Sequence, residues 1–136
     1  MFDEAGQRTS RERLNEISKE VVDACYCIHS HLGPGLLESA YQKKLLVGLR
    51  SRGLMVLSEV WIDTVWKGEP IERAFHADLI IERCVLVELK AVDQTIELHE
   101  AQVRTDLKLL DYRLGLLINF NKIRVKHGIR RIVTGF

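Results

Sequence analysis

Ile71-Glu72-Arg73-Ala74-Phe75-His76-Ala77-Asp78-Leu79-Ile80-Ile81, then Glu82-Arg83-Cys84, then Val85-Leu86-Val87-Glu88-Leu89-Lys90-Ala91: two largely apolar runs around a short polar break predict an antiparallel β-hairpin. A period of two puts Val85, Val87 and Leu89 on one face of the second strand and Leu86, Glu88 and Lys90 on the other. On the first strand Ala77, Leu79 and Ile81 share a face, opposite His76, Asp78 and Ile80. With a three-residue loop, Ile81 pairs with Val85 and Asp78 falls opposite Glu88, with Cβ atoms roughly 5.5 Å apart.

Two carboxylates that close repel unless a cation lies between them. Acidic oxygens are the ligands that Mg²⁺ or Mn²⁺ takes, with water and substrate phosphate completing the shell. Lys90 points to the same side, where an ammonium can orient an attacking water or meet developing negative charge. The triplet alone is weak: at this composition about one acid-x-Lys is expected by chance. The chain has a second, Asp106-Leu107-Lys108, in a helical segment where those side chains diverge, and it reads as noise. The competing reading of Asp78, Glu88 and Lys90 is a surface salt-bridge ladder.

Around the hairpin the pattern is mixed. Leu14, Ile17, Val21, Ala24, Cys25, Ile28 and Leu32 recur at helical spacing over Arg11–Leu32, and Gly33-Pro34-Gly35 ends that helix. A second helix is expected from about Leu36 to Arg52, with Leu37, Tyr41, Leu45 and Leu49 on one stripe. Val56–Val65 predicts a strand and Lys67-Gly68-Glu69-Pro70 a turn. Thr95 to about Asp111 predicts a helix with two stripes, one of Leu98, Ala101, Thr105 and Leu109, the other of Val103, Leu107 and Leu110. Leu114–Phe120 fits a buried strand, and Lys122–Val133 a last strand with a turn near Gly128. The order α-α-β-β-β-α-β-β is one mixed α/β domain over 1–136, with residues 1–10 expected to fray.

A chain of 136 residues can bury a core without disulfides. Its three cysteines are too few for a disulfide framework. No apolar signal segment and no run of the ~20 apolar residues that a membrane span needs is present, so a cytoplasmic, reduced protein with no membrane partner is expected. The net charge of +1 excludes little, but its distribution is uneven. Lys122, Arg124, Lys126, Arg130 and Arg131 follow Arg113 with no acid after Asp111, a footprint for nucleic-acid phosphate or a solvated face. Cys25-x-Cys27-x-His29-x-His31 is no zinc site, because residues two apart on a helix point roughly 200° from one another. Trp61 and Trp66 could stack on bases; facing opposite sides, with one in the core, is the plainer expectation.

Glu38 lies in the first turn of the second helix, where the helix dipole favours an acid, but Gly35 has no side chain to complete a capping box with it. Gly35-Leu36-Leu37-Glu38-Ser39-Ala40-Tyr41 resembles the signature of the GxxExxY proteins, small prokaryotic chains grouped with the PD-(D/E)xK, restriction-endonuclease-like nucleases. Ile28-His29, Leu32-Gly33-Pro34-Gly35, Asp78, Glu88-Leu89-Lys90, His99-Glu100-Ala101-Gln102 and Gly115–Phe120 resemble that family in the same order, so the likeness spans about residues 11–134.

The resemblance implies a restriction-endonuclease-like core, αβββαβ, with an extra N-terminal helix and a C-terminal strand. It implies Glu38, Asp78 and Glu88 as acids, Lys90 as catalytic lysine and Gln102 as a polar residue beside the site. Asp78, Glu88, the Leu89 carbonyl and Glu38 would hold Mg²⁺ (or Mn²⁺). Two positions depart from the pattern: Asp106 stands where exonuclease-type relatives often carry Tyr, and His76 where Arg or a neutral residue is usual. The expected function is metal-dependent hydrolysis of nucleic-acid phosphodiesters. The alternatives are a non-catalytic nucleic-acid-binding or scaffold module that keeps the fold, and a purely structural homodimer.

Overall fold

The computed structural model describes residues 9–135. Most of the segment expected to fray lies outside the described residues, but Ser10 is ordered as a helix cap: its Oγ accepts the Arg13 N–H at 3.1 Å. Helix α1 (Arg11–Leu32) follows and buries Leu14, Ile17, Val21, Ala24 and Cys25. Gly33 closes it with φ +64, its N–H bonded to the His29 carbonyl at 2.7 Å.

Helix α2 (Glu38–Ser51) begins two residues later than the pattern predicts. Leu37 is its N-cap in extended conformation and is 78% exposed, so it leaves the expected stripe. Tyr41, Leu45 and Leu49 carry the packing, with Gln42 buried beside them.

Five strands form one sheet in the order β1 (Val56–Trp66), β2 (Glu69–Ile81), β3 (Val85–Lys90), β4 (Leu114–Asn119), β5 (Ile129–Val133). All neighbours are antiparallel except β3 and β4, which run parallel. Helix α3 (Glu97–Leu110) makes that parallel crossover, as parallel strands require. Helices α1 and α2 cover Leu79, Ile81, Val85, Val87, Leu89, Leu116 and Ile118. Helix α3 covers the other face, where Val103 and Leu107 meet Leu86 and Leu117. Burial on both faces explains why β4 is a continuous apolar run. The architecture is a mixed α/β fold whose order from α2 to β4 is the αβββαβ expected of a restriction-endonuclease-like core.

Helix α3 uses one of its two predicted stripes: Val103 and Leu107 are buried and Leu110 half-buried, while Leu98, Ala101, Thr105 and Leu109 face solvent. Gly115 is where it presses closest, since a Cβ there would lie 2.8 Å from Val103 Cγ1. The expected last strand is shorter than its pattern: Val125–Gly128 forms a single 3₁₀ turn before β5. A Cβ on Gly128 would collide with the Asn119 backbone carbonyl.

The β1–β2 hairpin departs most from simple alternation. Only Leu79–Ile81 of β2 pairs with β3, so the rest of β2 pairs with β1 alone as a two-stranded arm. Ala77 was expected to share a face with Leu79 and Ile81, yet it packs on the α3 side with Val60, Ile62 and Phe75. The rung that would join Glu59 to Asp78 is missing, and Glu59 has φ +54. That bulge-like break lets the two ends of the ribbon bury opposite faces. Asp78 stands at the break.

Candidate metal and active site

The three-residue loop Glu82–Cys84 sets Ile81 opposite Val85 and Leu79 opposite Val87, and the ladder stops there. Its next rung is made by side chains. Asp78 Oδ2 accepts the Leu89 N–H at 2.8 Å, and the Asp78 N–H faces Glu88 Oε1 at 3.4 Å. A strand residue directs its N–H and C=O to the same edge, so the Leu89 carbonyl also opens toward Asp78.

Both acids are partly buried. Burial first, then the Asp78 charge, pushes the Glu88 carboxyl far above the usual carboxylate range, and Asp106 adds to the effect. Lys90 belongs to the same cleft, but among the described residues its ammonium joins no salt bridge. A surface ladder of Asp78, Glu88 and Lys90 is therefore not what these side chains form.

Glu38 reaches this edge from the first turn of α2. Its carboxyl is raised by burial and by Asp78, lowered by Lys90, and raised again by Glu59. The loop before it is anchored by Tyr41, whose ring stacks on Phe120 at 4.4 Å and 5°. The Tyr41 hydroxyl donates to the Gly33 carbonyl at 2.6 Å and accepts the Leu36 N–H at 3.2 Å. Gly35 turns the chain with φ +109, a conformation that favours glycine. Gly35 and Tyr41 thus fix where Glu38 starts its helix.

Four further groups belong to the site; the sequence pointed to His76 and Asp106 only as departures from the family pattern, and to Gln42 and Glu59 not at all. Gln42 donates from Nε2 to Glu59 Oε1 at 2.5 Å and to the Asp78 carbonyl at 3.3 Å. Glu59 Oε2 contacts His76 Nε2, and His76 Nδ1 lies 3.9 Å from Asp78 Oδ1. Asp106, dismissed with its triplet as noise, lines the cleft, its carboxyl pushed up to about 6 by burial. The available signal was helical spacing: Asp106 is four residues after Gln102, so both point to one side of α3. The cleft holds about 350 Å³ and is lined by His76, Glu88, Lys90, His99, Gln102 and Asp106 among others.

Among the described residues, no three His, Cys, Asp or Glu side chains converge closely enough to ligate one ion. The donor set still fits a hard divalent cation that keeps several waters, because such an ion needs only one or two protein carboxylates.

The basic C-terminal residues do not gather on one face. Lys122 Nζ donates to the Asp93 carbonyl at 2.8 Å, Arg131 to Asn15 Oδ1 at 2.5 Å, and Arg130 lies 3.7 Å from Glu100 of α3. Arg124 and Lys126 are exposed beside Tyr26 and His29. His29 Nε2 donates to the Lys122 carbonyl, His31 turns to the Cys27 carbonyl and Cys25 is buried, so the Cys/His run of α1 makes no metal cluster. Contrary to expectation, neither tryptophan is in the core: Trp61 is 51% and Trp66 68% exposed. Among the described residues no helix is long and apolar enough to cross a membrane.

A mixed sheet that sets Asp78 against Glu88 and places Glu88 and Lys90 in one cleft, with an acid arriving from a preceding helix, is the arrangement of a restriction-endonuclease-like domain. The family model of the PD-(D/E)XK nuclease superfamily matches residues 15–132, and the chain belongs to that superfamily. Comparison with curated proteins and with solved structures gives no significant match.

Proposed function

We propose that this protein hydrolyses nucleic-acid phosphodiester bonds with Mg²⁺ or Mn²⁺ held by Asp78, Glu88 and the Leu89 carbonyl. The carrying observation is the contact of two half-buried acids at the end of the β2–β3 ladder. Such a pair opposes folding unless a cation or proton neutralises it. Glu38 reaches the same ion through water or helps to hold a second.

When bound, the metal supplies an acidified water and neutralises charge on the phosphate. The protein's own groups supply position. Asp78 is locked by the Leu89 N–H. Lys90, in no salt bridge among the described residues, presents its ammonium to the cleft, orients the nucleophile and offsets charge that grows on phosphate oxygens. Gln102 offers an amide donor from α3 on the opposite wall.

Gly35, Glu38 and Tyr41 are then the GxxExxY signature, with the glycine and tyrosine serving to seat the acid. Arg124 and Lys126 are the C-terminal cations open to phosphate, while Lys122, Arg130 and Arg131 would exchange their present partners to join them. Three free cysteines fit a reducing, cytoplasmic setting.

The test is a panel of single- and double-stranded DNA and RNA with Mg²⁺ and Mn²⁺, on wild type and Lys90→Ala. Wild type is expected to cut in a metal-dependent way. Lys90→Ala is expected to bind as well but to turn over about a hundredfold more slowly, or less, because the lost contact acts in the transition state. Binding without cleavage by wild type would make the protein a non-catalytic module. Neither binding nor cleavage would leave a scaffold or a structural homodimer.

A further inference from the structure

The β1–β2 arm exposes an aromatic group that packing does not explain. Its packed face consists of Val60, Ile62 and Phe75. Trp61 is on the other side, about half exposed, its ring 4.8 Å from that of His76 at an interplanar angle of 65°. The Arg73 guanidinium lies 5.2 Å from the Trp61 ring centroid.

Arg73 is held in place by its backbone. Asp63 Oδ1 accepts the Arg73 N–H at 2.8 Å while Arg73 takes φ +51, at the point where the β1–β2 register shifts. Its guanidinium has no carboxylate in salt-bridge range among the described residues. A cation on an indole without an acid to neutralise it is complementary to an anion that carries a flat ring. His76 connects this pair to the site, its Nδ1 being 3.9 Å from Asp78 Oδ1. Arg73, Trp61, His76 and Asp78 therefore form one row from solvent to the paired acids.

We propose that Trp61 and Arg73 form a stacking platform for an unpaired nucleobase, which delivers the adjoining phosphodiester of a single strand to the Asp78–Glu88 pair. The proposal rests on the nuclease reading and narrows its substrate to single strands or unpaired ends. A base in a duplex has both faces stacked already, whereas an unpaired base of any identity offers a face to indole, and a nearby arginine adds cation–π and phosphate contacts. Among the described residues Trp66, further along the arm beside Lys67, has no such connection to the acids.

The experiment measures binding of the full chain, in chelator to prevent cleavage, to a labelled oligothymidylate and to a duplex of equal length. Wild type, Trp61→Ala, Trp66→Ala and Arg73→Gln are compared, with tryptophan emission recorded in parallel. Trp61→Ala is expected to weaken single-strand binding roughly tenfold or more and to leave duplex binding unchanged. Arg73→Gln should act in the same direction and Trp66→Ala should have little effect. Emission of wild type should be quenched by the single strand, and the quench should vanish in Trp61→Ala.

Wild-type single-strand affinity in Trp61→Ala, equal losses for single strand and duplex, or no binding of oligothymidylate by wild type would each overturn the platform. So would a change from dimer to monomer in sedimentation with nucleic-acid binding intact, which would make this face a contact between two copies of the chain. Failure of the nuclease reading has a different signature. In that case Mn²⁺ neither shifts the melting temperature nor supports cleavage, while single-strand binding still depends on Trp61.

Discussion

Asp78 and Glu88 meet where the β2–β3 ladder ends, the Asp78 N–H facing Glu88 Oε1 at 3.4 Å and the Asp78 carboxylate taking the Leu89 N–H at 2.8 Å. A side chain here replaces a strand's missing backbone acceptor. The same replacement forces two acids together, which couples the stability of the hairpin to whatever neutralises them.

The first prediction follows from that coupling. Mn²⁺ at millimolar concentration should raise the melting temperature of wild type by mass action. Asp78→Asn keeps an oxygen for the Leu89 N–H but removes the charge. Its metal-free melting temperature should equal or exceed that of wild type, and its response to Mn²⁺ should disappear. A variant that responds as wild type does would remove Asp78 from the metal site.

The second concerns pH without metal. Asp106 and Glu88 both have carboxyls raised in the folded protein. A raised acid binds more protons folded than unfolded, so stability falls as pH rises from the unfolded to the folded pKa. For Asp106 that window runs from its ordinary value of 3.8 to about 6. Melting temperatures of Asp106→Asn and wild type should therefore diverge across it, the variant gaining relative stability toward neutral pH. Parallel curves would show that Asp106 carries no such penalty.

A third prediction isolates the Tyr41 hydroxyl. Tyr41→Phe keeps the ring on Phe120 but frees the Gly33 carbonyl and the Leu36 N–H. Loss of these bonds should cost about 1–3 kcal/mol in chemical denaturation. Because that loop sets the start of α2, the metal response should weaken as well, through Glu38. A stability loss with an unaltered metal response would confine Tyr41 to folding.

Local periodicity accounts for much of this fold. The spacing of Leu14, Ile17, Val21 and Cys25 marks α1, and the three-residue break after Ile81 sets the register that brings Asp78 opposite Glu88. In α3 the same reasoning found two apolar stripes but could not choose between them. The choice was made by Gly115 on β4, whose missing side chain lets Val103 and Leu107 approach. The expectation that one tryptophan is in the core failed because only three residues of β2 pair with β3, leaving the rest of the hairpin without a third strand.

What the sequence determined by itself is whatever depends on neighbours a few residues apart: the element order, the hairpin register, and Glu88 and Lys90 on one side of one strand. Only the tertiary structure decided which other polar groups gather around them. Glu59 and His76 come from opposite strands of a ribbon, Gln42 from α2 and Asp106 from α3. The break at Glu59 moves Ala77 to the α3 face and leaves Asp78 at the edge. Side chains that meet through packing have no common period in the chain, because burial, and not sequence separation, sets the distance between them.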